Sequence, residues 1–192
     1  MANNKFTIIT FLILCFISTS AFGATFKGKV IDADTKEPIE GAVVVASWLE
    51  ERADVAGSTS EPKDVKETLT DKNGEWIIKG PKGRDMGNIT AIFTFLTGTY
   101  ITTPPKFIVF KPEYCSWHGG FEIEACKMKP SGIGDGETIE LRKLTNREDR
   151  LRAIPSTAWG ELEKQRELIR LINEERRNLG LKGEIYFEEI KK

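Results

Sequence analysis

Cys115, His118 and Cys126 are the side chains whose type and spacing point first to chemistry. Cys-x-x-His is an acceptable ligand spacing, and Cys126 with one further donor would complete a tetrahedral site. The chain has no second histidine. A zinc peptidase needs several convergent ligands and a general base, and neither His-x-x-Glu nor His-Glu-x-x-His occurs. Two thiols in an exported chain more often close a disulfide, and Gly119-Gly120 lets the backbone turn back between them. The disulfide Cys115–Cys126 is therefore the preferred reading and a metal site the competing one. Closing so short a loop contributes about 2–3 kcal/mol, chiefly through the unfolded chain. Covalent haem needs Cys-x-x-Cys-His, which is missing. A serine triad would have to use His118, and no Gly-x-Ser-x-Gly elbow accompanies it. Glu50-Glu51, or Glu122 with Glu124 on one strand face, offer paired carboxylates for acid–base work on a glycan. Solvated strand carboxylates are far commoner. The expectation is a protein that is not an enzyme, with no cofactor and no metal.

The cysteine argument depends on compartment, and the amino terminus supplies it. Lys5 is the only charged residue before Lys27, and Phe6 to Ile17 is mostly Phe, Ile and Leu. Small residues follow, ending in Ala21-Phe22-Gly23 before Ala24. A positive start, a short apolar run and small residues at −3 and −1 describe a secretory signal peptide over residues 1–23. Thr7 and Thr10 shorten the apolar run below the roughly 20 residues a membrane span needs. Leu14 stands before Cys15 where lipid attachment needs a small residue. Cleavage before Ala24 is expected, with no stable membrane span afterwards and a periplasmic or secreted product.

The 192 residues carry 28 Lys and Arg against 29 Asp and Glu, a net charge of −1. That balance removes the electrostatic case for nucleic acid as a partner. Residues 24–144 read as short strands punctuated by turns. Thr25 to Asp32, the β-branched run Ala42 to Trp48, Glu67 to Thr70, Glu75 to Ile78, Ile89 to Leu96, Phe107 to Phe110, Phe121 to Met128 and Glu137 to Leu144 are the candidates. Asp71-Lys72-Asn73-Gly74 predicts a hairpin turn. Leu49 to Lys66 reads as a long polar loop. Asn88-Ile89-Thr90 matches a glycosylation sequon, which is weak evidence alone. The fold class expected is all-β: a β-sandwich of seven or eight strands with a C-terminal α-helical extension.

Residues 145–192 form that extension. Pro155-Ser156-Thr157 predicts a helix start and Gly180 its end. Leu162, Ile169, Ile172 and Leu179 share a face, widened by Leu168 and Leu171. Docking on the chain's own sandwich is the plain reading, and an envelope protein partner met through this helix is the other. Trp48 and Tyr114 are expected in the core. Trp48, Tyr100, Tyr114, Trp117 and His118 could together line an edge for glycan or protein contact; Trp117 and His118, beside Gly119-Gly120, are expected to be exposed and are the weak candidates for binding.

Gly28-Lys29-Val30-Ile31-Asp32, Thr35, Pro38-Ile39, Gly41-Ala42, Val44 and Thr70-Asp71-Lys72-Asn73-Gly74 together resemble the carboxypeptidase regulatory-like domain. The resemblance runs from about Phe26 to Leu144 and continues through Phe107 to Tyr114. It departs at Pro112-Glu113-Tyr114, where the family usually has Pro-Gly-Tyr. It implies a seven-stranded Greek-key sandwich, transthyretin-like or Ig-like, that is an accessory module and not a catalyst. The function expected is a non-catalytic exported structural or protein-binding module of the cell envelope. A glycan- or small-ligand-binding protein is the alternative. Intact mass of the exported product is expected to show two alkylatable thiols only after reduction; two free thiols without reductant would reject the disulfide.

Overall fold

The computed structural model describes residues 24–54, 57–81, 101–118, 126 and 136–184. The signal peptide, Tyr100, Glu122, Glu124, the Asn88 sequon and the strand expected over Ile89 to Leu96 lie outside these residues, as does nearly all of Phe121 to Met128.

Two sheets face each other. The first has the order β4–β1–β8, with β1 (Thr25–Asp32) central between β4 (Glu75–Lys79) and β8 (Glu137–Leu141). β1 pairs antiparallel with β4 and parallel with β8. The second has the order β3–β2–β6–β7, formed by β2 (Val43–Asp54), β3 (Gly57–Leu69), β6 (Lys106–Phe110) and the two-residue β7 (Trp117–His118). A two-residue β5 (Ile101–Thr102) also pairs with β2. Six strands of five or more residues are described, three in each sheet, where seven or eight were expected.

Alternation explains the inner core. Trp76 and Ile78 on β4, Val30 on β1 and Ile139 and Leu141 on β8 point inward from the first sheet. They meet Val44, Ala46 and Trp48 of β2 and Phe107 and Val109 of β6. β2 behaves differently, because Ala42 to Leu49 is buried without alternation. Its other face, Val43 and Val45, joins Val65 and Phe110 under a helix. A strand covered on both sides reads as a continuous apolar run.

That helix is α2 (Arg166–Asn178), preceded by a 3-10 turn over Leu162–Gln165; a shorter helix, α1 (Arg147–Arg152), comes before both. Leu168, Leu171 and Ile172 press onto the outer face of the second sheet. Each contributes about 1.5–3 kcal/mol relative to exposure. The helix thus docks on the chain's own sandwich, the plain reading, and its apolar face is occupied by the second sheet. The expected start at Ser156 or Thr157 is also corrected. No side chain of α2's own segment caps it. Instead Glu67 of β3 accepts the N–H groups of Glu167 and Leu168 at 2.8 and 3.1 Å. The end stands where expected: Gly180 has φ +73°, and Leu181 N–H donates to Arg176 C=O at 2.9 Å.

Two further corrections concern turns. Leu49 to Lys66 is no loop: β2 and β3 run on together as an arm to Asp54 and Gly57, through a bulge at Trp48/Leu49, with β5 pairing against Glu50 and Glu51. Backbone pairing holds polar residues there without an apolar face, which is why the pattern carried no strand signal. Asp71 to Gly74 does turn, but β3 and β4 pair with different strands, so the turn carries the chain from one sheet to the other. Gly74 has φ +74°, and a Cβ there would lie 2.3 Å from Val30 O.

Arg150 of α1 and Glu175 of α2 form a two-bonded ion pair, both contacts at 2.8 Å, with Glu175 only 1% exposed. Glu175→Ala is expected to cost about 3 kcal/mol in denaturant unfolding, because Arg150, part-buried, keeps only its 3.7 Å contact with Glu113. The double change Arg150→Met/Glu175→Leu is expected to recover most of that.

Candidate functional site

The outer face of the β4–β1–β8 sheet carries no helix among the described residues. Its outward positions are Lys27 and Lys29 of β1, Glu75, Ile77 and Lys79 of β4, and Thr138 and Glu140 of β8. Lys27 stands opposite Ile77, and Lys29 stands between Glu75 and Thr138. Thr68 and Leu69 rise beside them from the end of β3. Together they line an open groove of about 710 Å³. Gly28 and Trp76 floor it. A Cβ on Gly28 would lie 2.6 Å from Glu137 O and 2.9 Å from the Trp76 ring, so only glycine allows this ring so close to β1. Ile77 is 58% and Leu69 38% exposed.

Lys36 pairs with Glu140 at 2.7 Å, Lys143 with Glu113 at 3.2 Å, Lys164 with Asp64 at 3.1 Å, and Lys63 with Glu50. Lys27, Lys29 and Lys79 have no ion-pair partner among the described residues. Asp71, at the groove's end, is tied into its turn by accepting the N–H groups of Asn73 and Glu75 at 2.9 and 2.8 Å.

The residues singled out from sequence lie elsewhere. The sulfurs of Cys115 and Cys126 are 2.02 Å apart, a disulfide. Trp117 pairs with Val109 and is half-buried against the inner core, where an exposed position was expected. Strand alternation turns it to the same side as Val109. His118 pairs through its backbone with Ile108, and its side chain lies outside the described residues. Trp48 is 3% exposed and in the core, and Tyr114 packs against that core. Glu50 is held by Lys63, so the Glu50-Glu51 pair is not a free acid–base couple. A second, smaller cavity of about 70 Å³ sits at the other end of the sandwich, between Phe26, Trp48, Pro81 and Pro104. The structure does not bring the sequence candidates and the groove together. The groove was missed because alternation tells which residues point outward, not which face stays uncovered.

Among the described residues, the groups whose proton affinity the fold displaces have structural partners. Asp32, 7% exposed, is held below the usual carboxylate range first by the Thr35 N–H, and further by the Asp34 N–H and the Tyr114 hydroxyl. Burial, then that same hydrogen bond, pushes Tyr114 up. Glu67 is pushed up by burial, against the pull of the helix N–H groups. Arg150 is raised by its bond to Glu175. Thr70, 3% exposed, donates to Ile39 C=O at 2.7 Å and accepts from Ala42 N–H at 2.8 Å. The motif residues Asp32, Thr70 and Gly74 therefore set turns.

No protein-family model matches the chain, and no curated protein is similar to it. Among solved structures, it is similar to 3-chlorocatechol 1,2-dioxygenase from Rhodococcus opacus, at 18% identity and a TM-score of 0.33, over 66% of this chain and 62% of that one. It is also similar to a streptococcal ancillary pilin, at 10% identity and a TM-score of 0.27, over 65% of this chain and 30% of the pilin. The chain thus spans less than two thirds of either neighbour. Likenesses this remote carry no statement about activity.

Asp32 and Glu67 give stability opposite slopes with pH. The Asp32 contribution is present above its unfolded value near 3.8 and is lost as pH falls through its lower folded value. The Glu67 contribution is present below 4.5 and is lost as pH rises through its higher folded value. Glu67→Gln removes only the second slope. The stability of this variant relative to wild type, from urea unfolding, is expected to increase between about pH 4 and about pH 7. A constant difference would contradict the assignment.

Proposed function

We propose that this chain is a non-catalytic exported module of the cell envelope, with a transthyretin-like Greek-key sandwich as its body, and that it works by binding. One observation carries the reading: among the described residues, each side chain with a displaced proton affinity is engaged in a turn, a helix cap, an interhelical clasp or, for Lys164, a surface ion pair with Glu161 and Asp64. Active sites instead concentrate such groups in a cleft, where they face a substrate. The sheet orders β4–β1–β8 and β3–β2–β6–β7 support the Greek-key reading, since sequence neighbours are exchanged between sheets. The Cys115–Cys126 disulfide supports an oxidising compartment. The open groove supports ligand binding over a purely structural role.

The test is expression of the full chain in a bacterial host, followed by fractionation, intact mass and in-cell cross-linking. The expected product begins at Ala24, lies outside the cytoplasm and contains the disulfide. A cytoplasmic product that retains residues 1–23, or turnover of a glycan or ester by the purified chain, would overturn the reading.

A further inference from the structure

We infer that Asn73-Gly74 is a self-modification site that the fold keeps latent: when the turn opens, the Asn73 side chain and the Gly74 nitrogen close a succinimide, and its isoaspartyl product cannot rebuild the turn. The inference concerns the chain's own chemistry and goes beyond the binding reading. Asn73-Gly74 is the single Asn-Gly pair in the sequence. Without a Cβ, glycine leaves its nitrogen open to the side chain that precedes it. The step balances within the chain. Gly74 N bonds to Asn73 Cγ, the Cγ–Nδ2 bond breaks, and Nδ2 leaves as ammonia with the Gly74 amide proton. Water then opens the ring. Breaking the bond to Cγ gives aspartate. Breaking the bond to the Asn73 backbone carbonyl carbon gives isoaspartate, whose main chain is longer by one methylene.

The native turn holds both reactants and blocks the step. Asn73 is exposed, and Gly74 is buried. Ring closure needs the Gly74 amide to lose its proton and the Asn73 Cα–C bond to rotate. The Gly74 N–H donates to Asp71 C=O at 2.8 Å, and the Gly74 C=O accepts from Val30 N–H at 2.8 Å. Asp71 Oδ1 clamps the residues on either side, accepting the N–H groups of Asn73 at 2.9 Å and Glu75 at 2.8 Å. The amide therefore reacts only in the fraction of molecules whose turn is open. The same packing sets the consequence. A Cβ on Gly74 would lie 2.3 Å from Val30 O and 3.2 Å from Pro38 Cβ, so the site has no room for a displaced main chain. This turn also passes the chain from β3 in one sheet to β4 in the other, so a longer main chain there disturbs both sheets.

Incubating the mature chain in mildly alkaline buffer, without denaturant and in urea above its unfolding midpoint, tests this. A glutamate-specific protease releases Thr68–Glu75, and mass with chromatographic separation distinguishes its asparaginyl, aspartyl and isoaspartyl forms. Conversion at Asn73 is expected to be at least about tenfold slower in the native chain, because it waits on opening. Asp71→Ala removes the clamp. It is expected to speed native conversion several-fold, in step with faster hydrogen exchange at the Gly74 amide, and to leave conversion in urea unchanged. Isoaspartyl chains, purified and returned to native buffer, are expected to unfold at a lower urea midpoint than wild type. Asn73→Asp, which adds the same charge on an ordinary main chain, is expected to keep the wild-type midpoint. Equal conversion with and without urea, conversion in urea that is faster at Asn88 or Asn178 than at Asn73, or isoaspartyl chains with the wild-type midpoint would each overturn the inference.

Discussion

The structure depends on β2 being apolar on both faces. Val44, Ala46 and Trp48 require the first sheet, and Val43 and Val45 require a second cover. A β-sandwich alone leaves that second face in water. The helix α2 is therefore part of the fold and not an ornament at its end. Leu168, Leu171 and Ile172 close the outer face, and the contacts around them are polar latches. Glu67 holds the amino end of α2 from β3. Lys164 reaches Asp64 at 3.1 Å, and Gln165, fully buried, bonds both ways with Ala158. At the carboxyl end, Arg147 donates to Leu179 C=O at 2.9 Å.

One backbone conformation shows how sandwich and extension are joined. Glu113, a non-glycine residue, takes the left-handed backbone with φ +72°. That conformation costs a non-glycine residue about 1–2 kcal/mol. The side chain gained in exchange meets Lys143 at 3.2 Å and Arg150 at 3.7 Å. Arg150 in turn holds Glu175. A polar chain thus runs from the β6–β7 connection through α1 to α2, and it offsets local strain with contacts that only a long acidic side chain can make.

Much of the fold was legible, and for identifiable reasons. Alternation placed β1, β4 and β8, and the unbroken Ala42 to Trp48 run marked a strand buried on both sides. Gly180 marked the end of α2, and the cysteine pair suggested its bond. The misses share one cause, which is reliance on local signals where the determinant is distant. The β2–β3 arm is held by backbone pairing between polar residues, so hydropathy could not reveal it. The start of α2 is set by Glu67, about a hundred positions away in sequence. The Asn73-Gly74 turn has hairpin chemistry, but the partners of the flanking strands send them into separate sheets. The groove was invisible for a related reason. Lys27, Lys29 and Ile77 look like ordinary outward residues until one knows that α2 covers the other sheet and not theirs.

Native-state hydrogen exchange tests most directly whether α2 is a structural layer of the sandwich. Amides in the centre of β2 and in the middle turns of α2 are expected to open with one shared free energy and one shared denaturant dependence, since each covers the other. Amides of α2 that exchange orders of magnitude faster than those of β2, with no denaturant dependence, would contradict the account. They would show the outer face of the second sheet standing without its cover.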